Sequence, residues 1–124
     1  MGYKLKTSME TERLINQMEA SENLPWFTLA RLAVALSLRQ GPLQEADLLT
    51  DSLGKELNRY TLVGEDDCLF KCLVEMQEGR HLTDDEYFPT RMKAHLDRGA
   101  PLLAREQQYS NHFLVHLTEL EKAI

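Results

Sequence analysis

Apolar positions along this chain recur mostly at intervals of three and four residues, the spacing of helices, with one short exception at the N-terminus. Tyr3-Lys4-Leu5-Lys6-Thr7 alternates instead, which in a strand puts Lys4 and Lys6 on one face and Tyr3, Leu5 and Thr7 on the other. Thr7-x-x-Glu10 has the capping-box pattern and predicts a first helix with Leu14, Ile15 and Met18 as its apolar stripe, ending near Ser21 to Asn23. Pro25 suits the first turn of a second helix, where its missing N–H would be unpaired in any case, and Gly41-Pro42 ends that helix. Within residues 25–38 Arg31 is the sole charge. A helix that is apolar all round must be covered on every side, so the second helix is expected to lie in an oligomer core.

Further along, Asp51-Ser52-Leu53-Gly54 reads as a turn, and residues 58–64 read as a short extended or irregular piece. Glu65, Asp66 and Asp67 fall on the first turn of a third helix, where the helix dipole favours carboxylates. Leu69, Phe70, Leu73, Val74 and Met76 are its expected core face, and Gly79 its stop. Thr83-x-x-Glu86 is a second capping box, and Pro89 begins or kinks a helix through Met92, His95 and Leu96. Arg98-Gly99-Ala100-Pro101 is expected to interrupt that helix. A last helix is predicted over residues 102–122, burying Leu103, Phe113, Leu114, Leu117 and Leu120.

This pattern predicts a mainly α chain: a basic N-terminal strand and two helices, followed by a small helical bundle. Residues 1–124 are read as a single domain, with an oligomerisation and DNA-contact region at 1–41 and a helical region at 42–124. With 43% apolar and 27% charged residues, the chain has a globular composition and not a disordered one. Arg31 and Arg39 bracket the longest apolar run, which is too short to span a membrane, and the N-terminus does not resemble a signal peptide; a cytoplasmic protein with no membrane partner is expected. The net charge of −6 is uneven: residues 1–40 carry +1 and the remainder −7. Nucleic acid would therefore have to be met by a face that gathers the basic residues.

Two blocks sharpen the reading. Glu56-Leu57-Asn58-Arg59-Tyr60-Thr61-Leu62-Val63-Gly64-Glu65 precedes an apolar helix, and Lys93-Ala94-His95-Leu96-Asp97-Arg98-Gly99 follows it. Together they resemble the DndE family of DNA sulfur-modification proteins, and Arg31-Leu32-Ala33 with the apolar run after it fits as well. Asp97 stands where the family commonly has Asn, and Pro101 is unusual in a stretch that is generally helical there. The resemblance implies membership of a bacterial phosphorothioation system, in which sulfur replaces a non-bridging phosphate oxygen of DNA. It further implies a ribbon-helix-helix-like N-terminal region, DNA binding, and action beside a cysteine desulfurase, a sulfur-activating enzyme and an ATPase.

The candidate DNA-binding residues are Lys4, Lys6, Asn23, Arg59, Lys93 and Arg98. Two ribbons paired across a dimer axis would set four lysines side by side against the DNA backbone, with nicked duplex among the candidate forms; the alternative role for the lysines is protection of an edge strand. In a ribbon-helix-helix arrangement the second helix also approaches phosphate, which brings in Asn23 and the N–H groups near Pro25. Arg59 and Arg98 could clamp phosphate or hold loops through Glu56, Glu65 or Asp97, and Arg59 is expected to be structural because acids flank it so densely. His95 is expected to be buried and hydrogen-bonded. Cys68 and Cys72 are expected to be reduced and buried; nearby Asp66, Asp67 and Glu75 disfavour the reactive thiolate that a persulfide relay would need. His112-x-x-x-His116 with Glu119 lacks the further ligands of a catalytic zinc site. No nucleotide loop or nucleophile–base pair is present, so no catalytic residue, metal or other cofactor is expected. The sequence thus points to a non-catalytic DNA-binding subunit acting as a dimer or tetramer. An adaptor between sulfur-transfer enzymes is the alternative. So is a ribbon-helix-helix repressor, against which the lack of Asn, Gln and Arg on the strand counts.

Overall fold

The computed structural model describes residues 3–108 and 113–118. Its N-terminal strand β1 (Lys4–Lys6) pairs antiparallel with a second strand, β2 (Glu56–Asn58), so that Lys4 faces Asn58, Leu5 faces Leu57 and Lys6 faces Glu56. The predicted alternation holds: Leu5 and Leu57 are buried while both lysines are exposed. The partner strand comes from the same chain and overlaps the segment expected to be extended or irregular only at Asn58; Glu56 and Leu57 lie in a stretch for which no element was expected. Arg59 N–H donates to Tyr3 O (2.7 Å) and Thr7 N–H to Lys55 O (2.9 Å), so the peptide groups of Lys4 and Lys6 point to the opposite edge of β1.

Helices α1 (Met9–Glu22) and α2 (Trp26–Arg39) follow, as the stripe and breaker signals require. The cap of α1 is Ser8 and not Thr7: the Ser8 hydroxyl accepts from Thr11 N–H, while Thr7 Oγ1 accepts from Lys55 N–H (2.9 Å). Asn23 closes α1 in the left-handed conformation at φ 55°, its N–H donating to Glu19 O. In α2, Leu29, Ala30, Ala33, Val34 and Ser37 are buried within one protomer, and Leu32 and Leu36 pack partly buried against the core. Much of the cover that α2 needs therefore comes from its own chain, chiefly from α6 (Lys93–Gln107).

Helix α6 runs unbroken through Arg98-Gly99-Ala100-Pro101, contrary to the predicted interruption. Pro101 is exposed and removes one helical hydrogen bond on the solvent side, while Ala100 and Leu103 are fully buried. Tertiary packing outweighs the local breaker. Gly99 explains why the packing is so close: a Cβ there would lie 1.8 Å from Ala33 O. Pro89 sits in a π-helical stretch, Tyr87–Met92, that feeds α6 after the short α5 (Asp84–Glu86), whose Thr83/Glu86 capping box is as predicted. That wide turn puts Tyr87, Phe88 and Met92 into the core. The single last helix predicted over 102–122 is instead the end of α6 and a separate α7 (Phe113–Thr118); Leu103 and Phe113 are buried, Leu117 is partly buried, Leu114 is exposed, and Leu120 lies outside the described residues.

Residues expected to be irregular also form α3 (Arg59–Val63), which a turn at Gly64–Asp66 joins to α4 (Asp67–Glu78). Asn58 caps α3, its Oδ1 accepting Tyr60 N–H at 2.8 Å, and Gly64 adopts φ 50°, ψ −124°, a conformation that disfavours a side chain. Gly79 ends α4 with φ 74°, as expected. The core face predicted for α4 is largely wrong. Only Val74 is buried there, Phe70 is partly so, and Leu69, Leu73 and Met76 are 57%, 37% and 77% exposed. Cys68 and Cys72 are free and exposed, which corrects the expectation of buried thiols.

The α2–α6 crossing gives a direct test. Gly99→Ala forces a methyl group into the Ala33 backbone, which has no flexible end to yield, and is expected to cost about 3 kcal/mol of stability by urea denaturation.

Candidate nucleic-acid interface and the latches behind it

Lys4 and Lys6 stand on the outer face of the ribbon, fixed by the burial of Leu5 between them. Glu56 and Asn58 share that face through the register, so one carboxylate lies directly across from Lys6. Neither lysine takes part in an ion pair among the described residues. Exposed Asn23 marks the α1–α2 junction beside the N-terminus of α2, where Thr28 and Leu29 N–H both donate to Pro25 O.

The other three basic candidates turn inward. Arg59 makes a two-pronged contact with Asp67, through Nε (2.9 Å) and Nη2 (2.7 Å), and reaches Asp84 through Nη1 (3.0 Å). Its guanidinium carbon lies 5.0 Å from the centre of the Tyr87 ring, whose hydroxyl donates to Asp67 Oδ1 at 3.1 Å. Hydrogen bonding to Asp67 raises the Arg59 pKa above its already high ordinary value, and burial pushes the Tyr87 phenol up. The predicted loop-holding role fits this geometry, but through Asp67 and Asp84 and not Glu56 or Glu65. This latch ties the start of α3 to α4 and α5.

Lys93 and Asp97 lie one turn apart on α6 and form a second latch, with side chains 12% and 1% exposed. Asp97 Oδ1 accepts from Ser8 N–H (3.0 Å) and Thr11 Oγ1 (2.7 Å). Its Oδ2 accepts from Thr50 Oγ1 (2.6 Å) and Lys93 Nζ (2.6 Å). Lys93 Nζ also reaches Thr50 Oγ1 and Asp51 O, each at 2.8 Å. The Asp97 carboxylate thus joins the N-terminus of α1, the 50–51 loop and α6. Asp51 completes the loop: its Oδ1 accepts Leu53 N–H and Met9 N–H, an Asx turn where a turn was expected.

Arg98 holds the C-terminal end of α2. Its guanidinium meets Ser37 Oγ (2.8 Å), Ser37 O (2.5 Å), Gly41 O (2.6 Å) and Pro42 O (3.1 Å), with Asp47 at 3.6 Å. Carbonyls at a helix C-terminus lack intrahelical partners, and a cation there also meets the negative end of the dipole. Ser37 Oγ, accepting from Arg98, lies 2.8 Å from His95 Nδ1; the hydroxyl hydrogen is assigned to Nδ1, which leaves the ring proton on Nε2. Burial, reinforced by the Arg98 charge, pulls the His95 pKa down to about 4. His95 is therefore buried and hydrogen-bonded, as the sequence suggested.

No group of three or more His, Cys, Asp or Glu side chains among the described residues could hold a metal ion. His112 and Glu119 of the histidine pattern lie outside those residues, while His116 Nε2 approaches Glu106 at 2.7 Å. The Cys72 thiol pKa is raised, first by the charge of neighbouring Cys68 and then by burial and hydrogen bonding. The residues that sequence reasoning missed are the acceptors: Asp84 and Ser37 lie 25 and 61 residues from their basic partners, and Asp67, eight residues from Arg59, was read only as a helix-start carboxylate. The Lys93–Asp97 pair was missed as well, although its spacing of four on a helix is the signal that could have found it.

These features define a small, mainly helical protein with a lysine-bearing two-stranded ribbon and an interior pinned by basic side chains. The family described as DNA sulphur modification protein DndE matches residues 4–111, and the chain belongs to that family. A solved structure with a similar fold is DndE from Escherichia coli B7A, described as involved in DNA phosphorothioation modification; at 20% sequence identity and a TM-score of 0.66, the match covers 82% of this chain and 95% of that one. No curated protein matches the chain. Among the described residues, no helix is long and apolar enough to cross a membrane.

Two outcomes are expected from the latches. Asp97→Ala leaves Lys93 without its carboxylate and Ser8 N–H without an acceptor, and should lower stability by about 3–5 kcal/mol in urea or thermal unfolding. The folded pKa of His95 lies below that of the unfolded chain, so protonation favours unfolding. Stability should be unaffected by His95 above about pH 6.5, decline between pH 6.5 and 4 as only the unfolded state takes the proton, and decline no further on its account below pH 4. The total loss is about 3 kcal/mol, and His95→Gln should remove that component from the pH dependence of the urea midpoint.

Proposed function

We propose that this chain is a non-catalytic, DNA-contacting subunit of a DNA phosphorothioation system, working as a homo-oligomer that lays its lysine ribbon along the DNA backbone. The supporting observation is the ribbon itself: Lys4 and Lys6 are exposed, share a face and have no ion pair among the described residues, while Arg59, Lys93 and Arg98 are engaged within the fold. Lysine suits phosphate as a point charge and reads bases poorly, so the binding is largely independent of sequence. Asn23, exposed at the far end of α1 where α2 begins, is the second candidate. The partners on this reading are DNA, intact or nicked, and the sulfur-activating enzyme, ATPase and cysteine desulfurase of the system.

Lys4→Ala with Lys6→Ala is the test, measured as binding to intact, nicked and single-stranded DNA over a range of salt. Affinity should fall about equally on all sequences, and the slope of log affinity against log salt should shrink by about 0.9 for each duplex phosphate that the protein no longer neutralises. The fold should be unaltered, because both side chains face solvent. An unchanged slope would remove the ribbon from the interface and favour the adaptor role.

A further inference from the structure

The interior accounts for most of the first sequence block but not for its aromatic residue, Tyr60, which is 81% exposed. Tyr3, at the start of the ribbon, is 61% exposed. These two are the exposed aromatic side chains among the described residues, and both line a single cavity of about 420 Å³. Such a volume falls within the range of small-ligand sites. Two hydrogen bonds anchor the backbone under the rings: Asn58 Oδ1 accepts Tyr60 N–H at 2.8 Å, and Tyr3 O accepts Arg59 N–H at 2.7 Å. The cavity lies at one end of the ribbon, because Tyr3 adjoins Lys4 in the chain and Asn58 faces Lys4 in the register. Arg59, Asp67 and Asp84 supply the rest of its lining. Two carboxylates thus surround one guanidinium, and Lys71 Nζ lies 3.6 Å from Asp84, so no net positive charge is left for a phosphate. A flat ring that carries amino groups suits the site better: it can stack on a phenol ring while carboxylate oxygens accept from its N–H donors.

We propose that this cavity receives an unpaired nucleobase of a DNA strand whose phosphates lie on Lys4 and Lys6, with Tyr60 as the stacking platform and Tyr3 as the second wall. The chemistry divides between the two places. Phosphates offer only acceptors and go to the exposed lysines, whereas the base offers a π-face and N–H donors and goes to the tyrosines and carboxylates. A base inside the duplex stack has no free face, so the occupant is a base displaced from the duplex or one in a single strand. Every base has a face to stack, so the cavity selects the form of the DNA more than its sequence.

The inference rests on the reading of the ribbon as a DNA contact and names what lies beside it. Its test compares a fully paired duplex, the same duplex with one unpaired 2-aminopurine at its centre, and a single strand of the same length. The wild-type protein should bind the duplex with the unpaired base about tenfold more tightly than the paired one, and should quench the 2-aminopurine fluorescence as the base stacks. Tyr60→Ala should abolish both the preference and the quenching, leave the affinity for paired duplex unchanged, and leave the circular dichroism unaltered, since the ring faces solvent in the protomer. Tyr60→Phe, which keeps the ring, should retain the preference. Tyr60-dependent binding that is tighter on the single strand than on the unpaired-base duplex assigns the site to single-stranded DNA, and the reverse order to a displaced base. Lys4→Ala with Lys6→Ala should weaken binding to paired and unpaired-base duplex alike and keep their ratio. Equal wild-type affinity for those two duplexes, or a preference that survives in folded Tyr60→Ala, would overturn the proposal and leave the ribbon contact standing. Failure of the wild-type protein to bind any of the three DNAs would overturn both.

Discussion

The fold depends on how closely α6 approaches α2. At Gly99 the two backbones come so near that even a methyl group would overlap Ala33 O. Such an approach is open only to glycine against a small residue, and it draws Ala100 and Leu103 into the core beside Leu29, Ala30 and Val34. Once α6 is held in this way, its neighbouring side chains have fixed places to reach. Arg98 meets the end of α2 and Asp97 meets the start of α1. The crossing thus sets the geometry of both polar latches on α6, and Pro101 on the outer side can be tolerated because the inner side is so firmly packed.

The two sequence blocks that carry the family resemblance now have physical reasons. In the first, Asn58 caps a helix, Arg59 binds two aspartates, Leu62 and Val63 fill the core, and Gly64 takes a backbone shape suited to glycine. In the second, Lys93 and Asp97 form a hydrogen-bonded ion pair, His95 meets Ser37, Arg98 closes α2 and Gly99 permits the crossing. A motif that looks like an array of DNA-contacting charge is thus largely accounted for by the interior. The Asp in place of the common Asn has a consequence too. A second carboxylate oxygen can accept from both Thr50 and Lys93, whereas an amide nitrogen could only donate.

Local signals in the sequence were legible where local chemistry decides the outcome. The strand alternation, the Thr83/Glu86 box, the Gly41-Pro42 and Gly79 stops and the stripe of α1 are all of this kind. The exceptions are governed by distant contacts. Strand β2 exists because β1 offers it hydrogen bonds across some fifty residues, and α6 survives Pro101 because of α2. The stripe on α4 misled for another reason: periodicity identifies an apolar face but does not say whether it meets the protomer's own core or solvent. The same limit applies to Cys68 and Cys72, which share that face.

The charge distribution gives the DNA-contact reading its remaining constraint. A chain of net charge −6 repels DNA on average, so any attraction has to arise locally. Arg59, Lys71, Arg80, Arg91 and Lys93 each neutralise a carboxylate of their own chain, and Arg98 lies against the Asp47 carboxylate; these side chains support the fold more than they contribute to a basic outer field. Lys4 and Lys6 differ in that their position is fixed by the backbone and the burial of Leu5, with no ion pair among the described residues. Two such lysines in one protomer would bind DNA weakly, and Glu56 across the ribbon reduces their field further. The proposed oligomer would change this balance, because copies held in fixed orientation would present several ribbons to one DNA and multiply weak interactions through effective concentration. On this reading, the acidic remainder of the surface adds selectivity by disfavouring every approach that does not bring the ribbons to the backbone.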